Sequence, residues 1–188
     1  ALNPALMHYK VCSTLDSSPE IGSIGRAIEI GADTFSPAAV PILIAAPQMR
    51  RYQSFGHLFA GFGDAVFRLD QHPVMSRHPV TPMCESDVAK HIALQSAKLD
   101  TRCLNLEDIS AGTLLPKTAK IPARIDTVTL DCMDEATESA VGHLLWEGRH
   151  TNRFVVGSQG VEYALVRHLQ DKGKIEKVPA AQGIGRSE

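Results

Sequence analysis

The sequence predicts an α/β fold: a mainly parallel sheet flanked by helices, with a β-hairpin insertion. Short apolar runs alternate with segments of helical periodicity along the 188 residues, which is typical of parallel strands joined by helical crossovers. Over residues 52–70, two apolar runs flank "GFGD", a pattern typical of a hairpin. A hydrophobic content of 44% and a charged content of 21% are those of a globular domain.

The first strand-helix unit is predicted from its flanking residues. Residues 5–12 and 39–47 are apolar runs suited to buried strands. Between them, Ser18 precedes Pro19, the favoured cap and first residue of a helix. Gly31 is suited to end that helix in the left-handed conformation. We therefore expect the first helix to begin at Ser18 and end at Gly31.

Further helices are predicted after the hairpin. Ser86 is a candidate cap for a helix over 87–98. The strand-like "IDTVTLDC" precedes a helix that begins at Asp134 or Glu135, and "RFVVGSQG" precedes one that Gly173 ends. These strand-helix units extend the parallel sheet.

Charge and cysteine content exclude several classes of protein. A net charge of −2 and an isoelectric point near 6.5 argue against a nucleic-acid-binding surface. The sequence has no apolar run of the roughly 20 residues that a membrane span needs. The four cysteines contain no C-x-x-C pair, so we expect reduced thiols in a cytoplasmic protein.

The two ends of the chain carry expectations about domain boundaries. The start lacks an initiator Met and the regions of a signal peptide, so we expect one domain over 1–176 that is incomplete at its N-terminus. Residues 177–188 are rich in Pro, Gly and polar residues, which is typical of a linker to another domain.

The first candidate binding segment is "CSTLDSSP". Ligands of open α/β sheets bind beyond the carboxyl ends of strands, and here a run of hydroxyls and one carboxylate follows the first strand. The following helix N-terminus favours an anion, so a small polyhydroxy acid would match. Ser, Thr and Asp are also the usual capping and turn residues, and that interpretation stays open. The candidate residues are Ser13, Asp16, Ser17 and Ser18.

The second candidate segment is "RLDQHPVMSRHP". Arg68 and Arg77 can each bind a carboxylate through two parallel N–H bonds, and Asp70 can accept from hydroxyls or hold an arginine. Three prolines over 73–82 restrict the backbone, which lowers the entropy cost of binding. A surface ion pair of little energetic value is the alternative. His72 and His78 lack a third convergent ligand, so we expect no metal here.

The third segment, "GSQG", carries little functional signal. It matches neither G-x-G-x-x-G nor the Walker pattern, and the sequence has no G-x-S-x-G elbow. We interpret it as a tight turn that requires small residues.

Four longer stretches resemble the four-carbon acid sugar kinase family of bacteria, which includes threonate, erythronate and 3-oxo-tetronate kinases. They are "HYKVCSTLDSSPEIGSIGRAIE", "RRYQSFGHLFA", "RLDQHPVMSRHPVTPM" and "FVVGSQGVEYAL". The resemblance covers nearly the whole chain, with Leu15 where the family usually has Phe. The family's D-D-x-T-G turn and its C-terminal ATP-binding domain have no counterpart in this sequence.

The resemblance implies that the chain is the substrate-binding part of an ATP-dependent transferase of carbohydrate metabolism. The substrate would be threonate, erythronate or 3-oxo-tetronate, with ATP and Mg²⁺ bound mainly by the missing domain. The chain alone would then be inactive, and a homo-oligomer is compatible with it. The implied substrate contacts are Ser13, Asp16, Ser17, Ser18, Arg68, Asp70, Arg77 and His78, with no catalytic residue assigned.

Other classes of function stay open. One alternative is a non-catalytic module, effector-like, that binds a sugar acid or a protein. Another is a subunit of an aldolase or dehydrogenase acting on sugar acids, although the weak glycine signature disfavours a nucleotide cofactor in this segment.

Overall fold

The computed structural model describes residues 3–117 and 124–176 and confirms the predicted α/β fold. The alternating apolar runs form strands, and every pairing in the larger sheet is parallel. The strands are β1 (Met7–Lys10), β2 (Val40–Leu43), β3 (Arg51–Ser54), β4 (His57–Phe62), β5 (Ala65–Arg68), β6 (Leu99–Leu104), β7 (Ile125–Leu130) and β8 (Phe154–Gly157).

The larger sheet has the strand order β1-β8-β2-β7-β6. Successive side chains of a strand point to opposite faces, so Ile42 belongs to one apolar cluster and Leu43 to the other. The first cluster includes residues of α1, α2 and the insertion, and the second includes residues of α3, α4 and α5. The helices are α1 (Ile24–Phe35), α2 (Val88–Ala93), α3 (Leu106–Ser110), α4 (Glu135–Gly148) and α5 (Gly160–Asp171).

The predicted hairpin is part of a separate antiparallel sheet. β3, β4 and β5 pair in sequence order, with Gly63 at a positive φ of 55° in the tight β4–β5 turn. A paired contact between Gln53 and Cys132 attaches this insertion to the carboxyl end of β7. Two short 3₁₀ turns, Leu69–Gln71 and Met75–Arg77, follow β5.

The predicted bounds of α1 are wrong at both ends. Ser23, rather than Ser18, caps the helix by accepting from the amide of Arg26. Gly31 lies inside the helix because it packs against Phe154, where a Cβ would lie 2.0 Å from the ring carbon Cζ. The helix continues to Phe35 and ends at Ser36, whose φ is 46°. Packing against the sheet therefore decided the role of this glycine.

The later helices follow the predictions more closely. Asp87, one residue after the predicted Ser86, caps α2, and α2 ends at Ala93 instead of residue 98. Asp134 caps α4 as predicted, and Gly173 has a positive φ of 65° just after α5. The predicted linker over 177–188 lies outside the described residues. Among the described helices, none has the length and apolar character that crossing a membrane requires.

Candidate functional site

The loop after β1 and the turn after β8 lie side by side at the carboxyl end of the sheet. β1 pairs with β8 so that Lys10 is opposite Gly157. The amide of Val11 then donates to the carbonyl oxygen of Gly157 at 2.8 Å. Ligands of open parallel sheets bind at this edge. Two of the three predicted segments are therefore neighbours.

Leu15 fixes the path of the loop after β1. Its φ is 56°, a left-handed conformation that costs about 1–2 kcal/mol for a residue with a Cβ. Burial of its side chain in the core offsets that cost. Beside it, the hydroxyl of Thr14 donates to Oδ1 of the half-buried Asp16 at 2.9 Å. Ser13 is buried, and its hydroxyl makes no hydrogen bond to the described part of the chain.

The hydroxyl of Ser17 is fully used inside the protein. It donates to the carbonyl oxygen of Leu15 at 2.8 Å and accepts from Nε2 of Gln95 at 2.9 Å. Nε2 of His91 lies 3.0 Å from the same oxygen and must be the donor, because the hydroxyl proton goes to Leu15. Burial lowers the pKa of His91, which favours the neutral ring. Ser17 thereby joins the loop to α2.

The N-terminus of α1 is also satisfied internally. Oε1 of Gln95 accepts from the amides of Ile24 and Gly25 at 2.7 and 3.1 Å. An anion at this helix start would compete with that amide group. The hydroxyl of Ser18 accepts from the amides of Glu20 and Ile21. It therefore stabilises a turn before the helix instead of capping it.

The turn after β8 confirms the tight-turn interpretation of "GSQG". A Cβ on Gly157 would lie 2.2 Å from the carbonyl oxygen of Leu43, and one on Gly160 would lie 1.8 Å from that of Ala45. The hydroxyl of Ser158 accepts from the amide of Gly160 at 3.0 Å. Small residues are therefore needed to seat α5 against β2, and the turn satisfies its own first helical amide.

In the segment after β5, Arg68 is held by Asp70. Nε and one terminal nitrogen of Arg68 donate to the two carboxylate oxygens at 2.7 and 2.8 Å. This bidentate pair lowers the pKa of Asp70 and raises that of Arg68. Arg68 is exposed and Asp70 is half-buried. The guanidinium edge best suited to a ligand carboxylate is already occupied.

Arg77 and His78 differ from that pair. Arg77 is exposed and its guanidinium makes no hydrogen bond or ion pair with residues 3–117 or 124–176. Nδ1 of His78 accepts from the amide of Thr81 at 3.0 Å and lies 3.0 Å from its hydroxyl. That contact fixes the ring, so Nε2 is the nitrogen left to contact a ligand. In this segment, Arg77 is the uncommitted cation.

Apolar residues of the two polar segments lie in the same buried cluster. Leu15 from the first segment and Leu69, Met75 and Met83 from the second belong to the same buried cluster. No described hydrogen bond or ion pair joins the predicted polar side chains of one segment to those of the other. Each segment is thus anchored in the same cluster by apolar residues, while its polar side chains make contacts within or near their own segment.

Sequence reasoning missed Asp131, which follows β7 at the same edge and is fully buried. Its Oδ1 accepts from Nε2 of Gln53 at 3.1 Å and from the amide of Gly56 at 3.0 Å. Its Oδ2 is buried without a hydrogen-bond partner among the described residues. Burial and this carboxylate raise the pKa of the Cys103 thiol to about 12, so Cys103 stays a donor to Oδ1. An acid directly after a buried strand was the available signal.

Two connected concave surfaces lie beside the insertion and contain none of the eight predicted site residues. Tyr52, Phe59, Val66 and Met133, with Ser54, line a cavity of about 450 Å³. A second cavity of about 330 Å³ shares Tyr52 and Met133 and reaches the start of α4. The larger cavity is lined mainly by apolar side chains, which suits a polyhydroxy acid poorly.

The comparisons with known proteins agree with the resemblance found in the sequence. The chain is 43% identical over 180 residues to the 3-oxo-isoapionate kinase of Paraburkholderia graminis, a match covering 96% of this chain and 38% of that kinase. It is 26% identical over 185 residues to the 3-oxo-tetronate kinase of Cupriavidus necator, covering 94% of this chain and 40% of that kinase. The chain thus spans about two fifths of the length of these curated relatives.

Solved structures share the fold. A Haemophilus influenzae protein superimposes with a TM-score of 0.70 at 21% identity, over 92% of this chain and 40% of that one. A Bordetella bronchiseptica domain of unknown function, solved as a domain-swapped dimer with bound citrate, gives 0.60 at 20% identity, over 89% and 37% of the two chains. The sugar-binding N-terminal domain family matches residues 1–165. The chain belongs to that family.

Proposed function

We propose that this chain is the substrate-binding part of an ATP-dependent kinase that phosphorylates a sugar acid. The observation that carries the proposal is the 43% identity with the 3-oxo-isoapionate kinase, which extends over 96% of this chain. All 180 matched residues fall within 38% of that kinase. This proportion fits a substrate domain that works with a second, nucleotide-binding domain.

The substrate class in this proposal is a 3-oxo sugar acid. Both reported kinase relatives act, by name, on 3-oxo acids, and the more similar one acts on 3-oxo-isoapionate. We therefore place 3-oxo-isoapionate first and 3-oxo-tetronate second. Threonate and erythronate, which the sequence resemblance also implied, come after them.

Arg77 is the proposed partner of the substrate carboxylate. Its guanidinium is exposed and uncommitted, whereas that of Arg68 is bound by Asp70. A free guanidinium can form the two parallel hydrogen bonds that a carboxylate accepts. His78 would donate from Nε2, since Nδ1 is engaged by Thr81. Arg68 and Asp70 would contact hydroxyls as a preformed pair.

The loop after β1 would supply the hydroxyl contacts. Asp16 is half-buried and its Oδ2 accepts no described hydrogen bond, which leaves one oxygen to accept from a substrate alcohol. Ser13 would contribute its uncommitted hydroxyl. Ser17 and Ser18 would hold the loop through the contacts they already make, which is a positioning role in this proposal.

The cofactors, location and assembly of the whole protein are part of the same proposal. ATP and Mg²⁺ would bind mainly to a domain outside this chain, since the phosphate-loop pattern is missing from the sequence. We expect a cytoplasmic bacterial enzyme of carbohydrate metabolism. The domain-swapped dimer described for the Bordetella bronchiseptica domain makes a homo-oligomer a reasonable expectation.

An ATP-consumption assay on the full-length protein tests the proposal. The acids are 3-oxo-isoapionate, 3-oxo-tetronate, threonate and erythronate, and the same assay is run on the 188-residue chain alone. We expect turnover by the full-length protein with a 3-oxo acid and none by the chain. Binding of the acid without phosphate transfer by the full-length protein would contradict the kinase proposal and favour the non-catalytic module.

A further inference from the structure

Two histidines and a glutamate from α4 and α5 converge at the end of the sheet opposite the candidate substrate site. His143 and Glu147 are four residues apart on α4, so they lie on one face of the helix. His168 lies in the last turns of α5. One ligand atom from each of the three residues lies within 4.8 Å of the other two. Both helices run back from the carboxyl ends of their strands, so this cluster lies toward the amino-terminal edge.

The close packing of α4 on α5 creates the cluster. Gly142 precedes His143, and a Cβ on it would lie 2.0 Å from the carbonyl oxygen of Ala164 and 3.0 Å from Cβ of His168. The glycine lets the two backbones approach, which places the rings of His143 and His168 with their centroids 5.4 Å apart. The arrangement depends on a glycine within a helix, where glycine is otherwise unfavourable by about 1 kcal/mol.

We propose that His143, Glu147 and His168 bind a Zn²⁺ ion that bridges α4 and α5. Two imidazole nitrogens and one carboxylate oxygen are a donor set that Zn²⁺ uses in proteins, with a water in the fourth position. His168 is 3% exposed and is the fixed ligand. His143 and Glu147 are exposed, so their side chains are free to rotate toward the ion.

The geometry requires only side-chain movement. Ligand distances of about 2.0–2.2 Å from Zn²⁺ place neighbouring ligand atoms closer together than the 4.8 Å limit found here. Rotation of the two exposed side chains closes that gap without moving either helix.

A site at this edge would stabilise the helix pair without contacting the sugar acid. α4 and α5 cover one face of the sheet, with Val141 and Val161 in the buried cluster on that side. A bridging ion would join the two helices near their carboxyl ends. This inference does not depend on the proposed function, because no residue of the cluster belongs to the candidate substrate site.

Titration of the tag-free full-length protein with Zn²⁺ tests the site. Isothermal calorimetry measures the affinity, and thermal unfolding measures the change in melting temperature. The variants are H143A and E147Q, whose side chains are exposed and leave the core intact. H150A removes another exposed histidine just beyond α4 and is the matched control. Circular dichroism without metal checks that each variant is folded, and the visible absorption of Co²⁺ as a substitute ion reports the coordination geometry.

We expect the wild-type protein to bind one Zn²⁺ per chain at this site. In both cluster variants the affinity for Zn²⁺ should weaken by at least about tenfold, since even changes outside the ligand shell have effects of that size. The rise in melting temperature on adding Zn²⁺ should disappear in H143A and E147Q and remain in H150A. Equal Zn²⁺ affinity in wild type, H143A and E147Q would overturn the proposal. So would a wild-type protein that binds no Zn²⁺, or an H150A variant that loses binding equally.

Discussion

The loop after β1 and the segment after β5 carry similar polar residues but use them differently. In the loop, the hydroxyls of Ser17 and Ser18 form hydrogen bonds with the backbone, and that of Ser17 also bonds to side chains of α2 and the residues just after it. In the segment, Nδ1 of His72 and Nδ1 of His78 accept from backbone amides, but the cation of Arg77 has no described partner. Both regions are held by hydrogen bonds and by buried apolar residues, and they differ in that the second leaves the guanidinium of Arg77 without a described partner.

The contrast shows why residue type alone does not identify a binding residue. Arg68 and Arg77 are equally suited to a carboxylate by chemistry, yet Asp70 occupies only the first. A side chain that has its protein partners stabilises the fold, and one that lacks them is available to a ligand. Four predictions test this division, beginning with the largest expected effect.

Replacing Gln95 with Leu should have the largest effect of the four changes, a lower free energy of unfolding. The change preserves size but leaves the amides of Ile24 and Gly25 without their acceptor and removes one donor to Ser17. Each buried group left unsatisfied costs about 1–3 kcal/mol. Urea unfolding measures the loss. The control is Gln71→Leu at an exposed position, where we expect a change within about 0.5 kcal/mol. Equal effects at both positions would contradict the role given to Gln95.

Replacing Arg77 with Lys should weaken substrate binding without affecting stability. Lys keeps the charge but cannot form two parallel hydrogen bonds, so we expect binding to weaken by about 1–3 kcal/mol. Calorimetry with 3-oxo-isoapionate and the full-length protein measures it. Arg68→Lys is the matched variant, with a smaller expected effect because Asp70 already binds that side chain. Unchanged affinity in Arg77→Lys would remove Arg77 from the site.

Replacing Asp16 with Asn should raise KM more than it lowers kcat. The residue is expected to contact a substrate hydroxyl and not to take its proton, so the loss is one hydrogen bond of about 0.5–1.5 kcal/mol. That corresponds to a roughly two- to thirteenfold rise in KM. Asp33→Asn, at an exposed position of α1, is the control. A collapse of kcat at constant KM would make Asp16 a catalytic base.

The sequence could predict the fold class and those helix boundaries that depend only on nearby residues. Asp134 and Gly173 act as their residue types suggest, because the cap and the left-handed turn involve only nearby backbone. Gly31 could not be predicted, since its role depends on Phe154, a residue distant in sequence. The same holds for Gln95 at the start of α1.

The candidate site divides in the same way. That polar residues gather after β1 and after β5 is visible in the sequence. Which of them are already occupied is not visible, because partners such as His91 and Gln95 come from α2 and its C-terminal end. Asp131 is visible in the sequence as an acid directly after a strand, but its role depends on Gln53 and Cys103, which the insertion and β6 bring to its carboxylate.

The smallest expected effect is the acid sensitivity of the Arg68–Asp70 pair. The hydrogen bond from Arg68 lowers the pKa of Asp70 in the folded protein. The pair therefore contributes stability above the unfolded pKa of about 3.9, and the contribution is lost as pH falls through the lower folded value.

Urea unfolding of wild type and Asp70→Asn from about pH 7 to pH 3 measures this contribution. The free energies of unfolding should differ by a small, constant amount down to about pH 5, and the difference should shrink below about pH 4. Asp64→Asn, at an exposed residue with no described ion pair, should track wild type throughout. A difference between wild type and Asp70→Asn that stayed constant to about pH 3 would mean that the carboxylate of Asp70 does not hold Arg68 in solution. The guanidinium of Arg68 would then be as available to a ligand as that of Arg77.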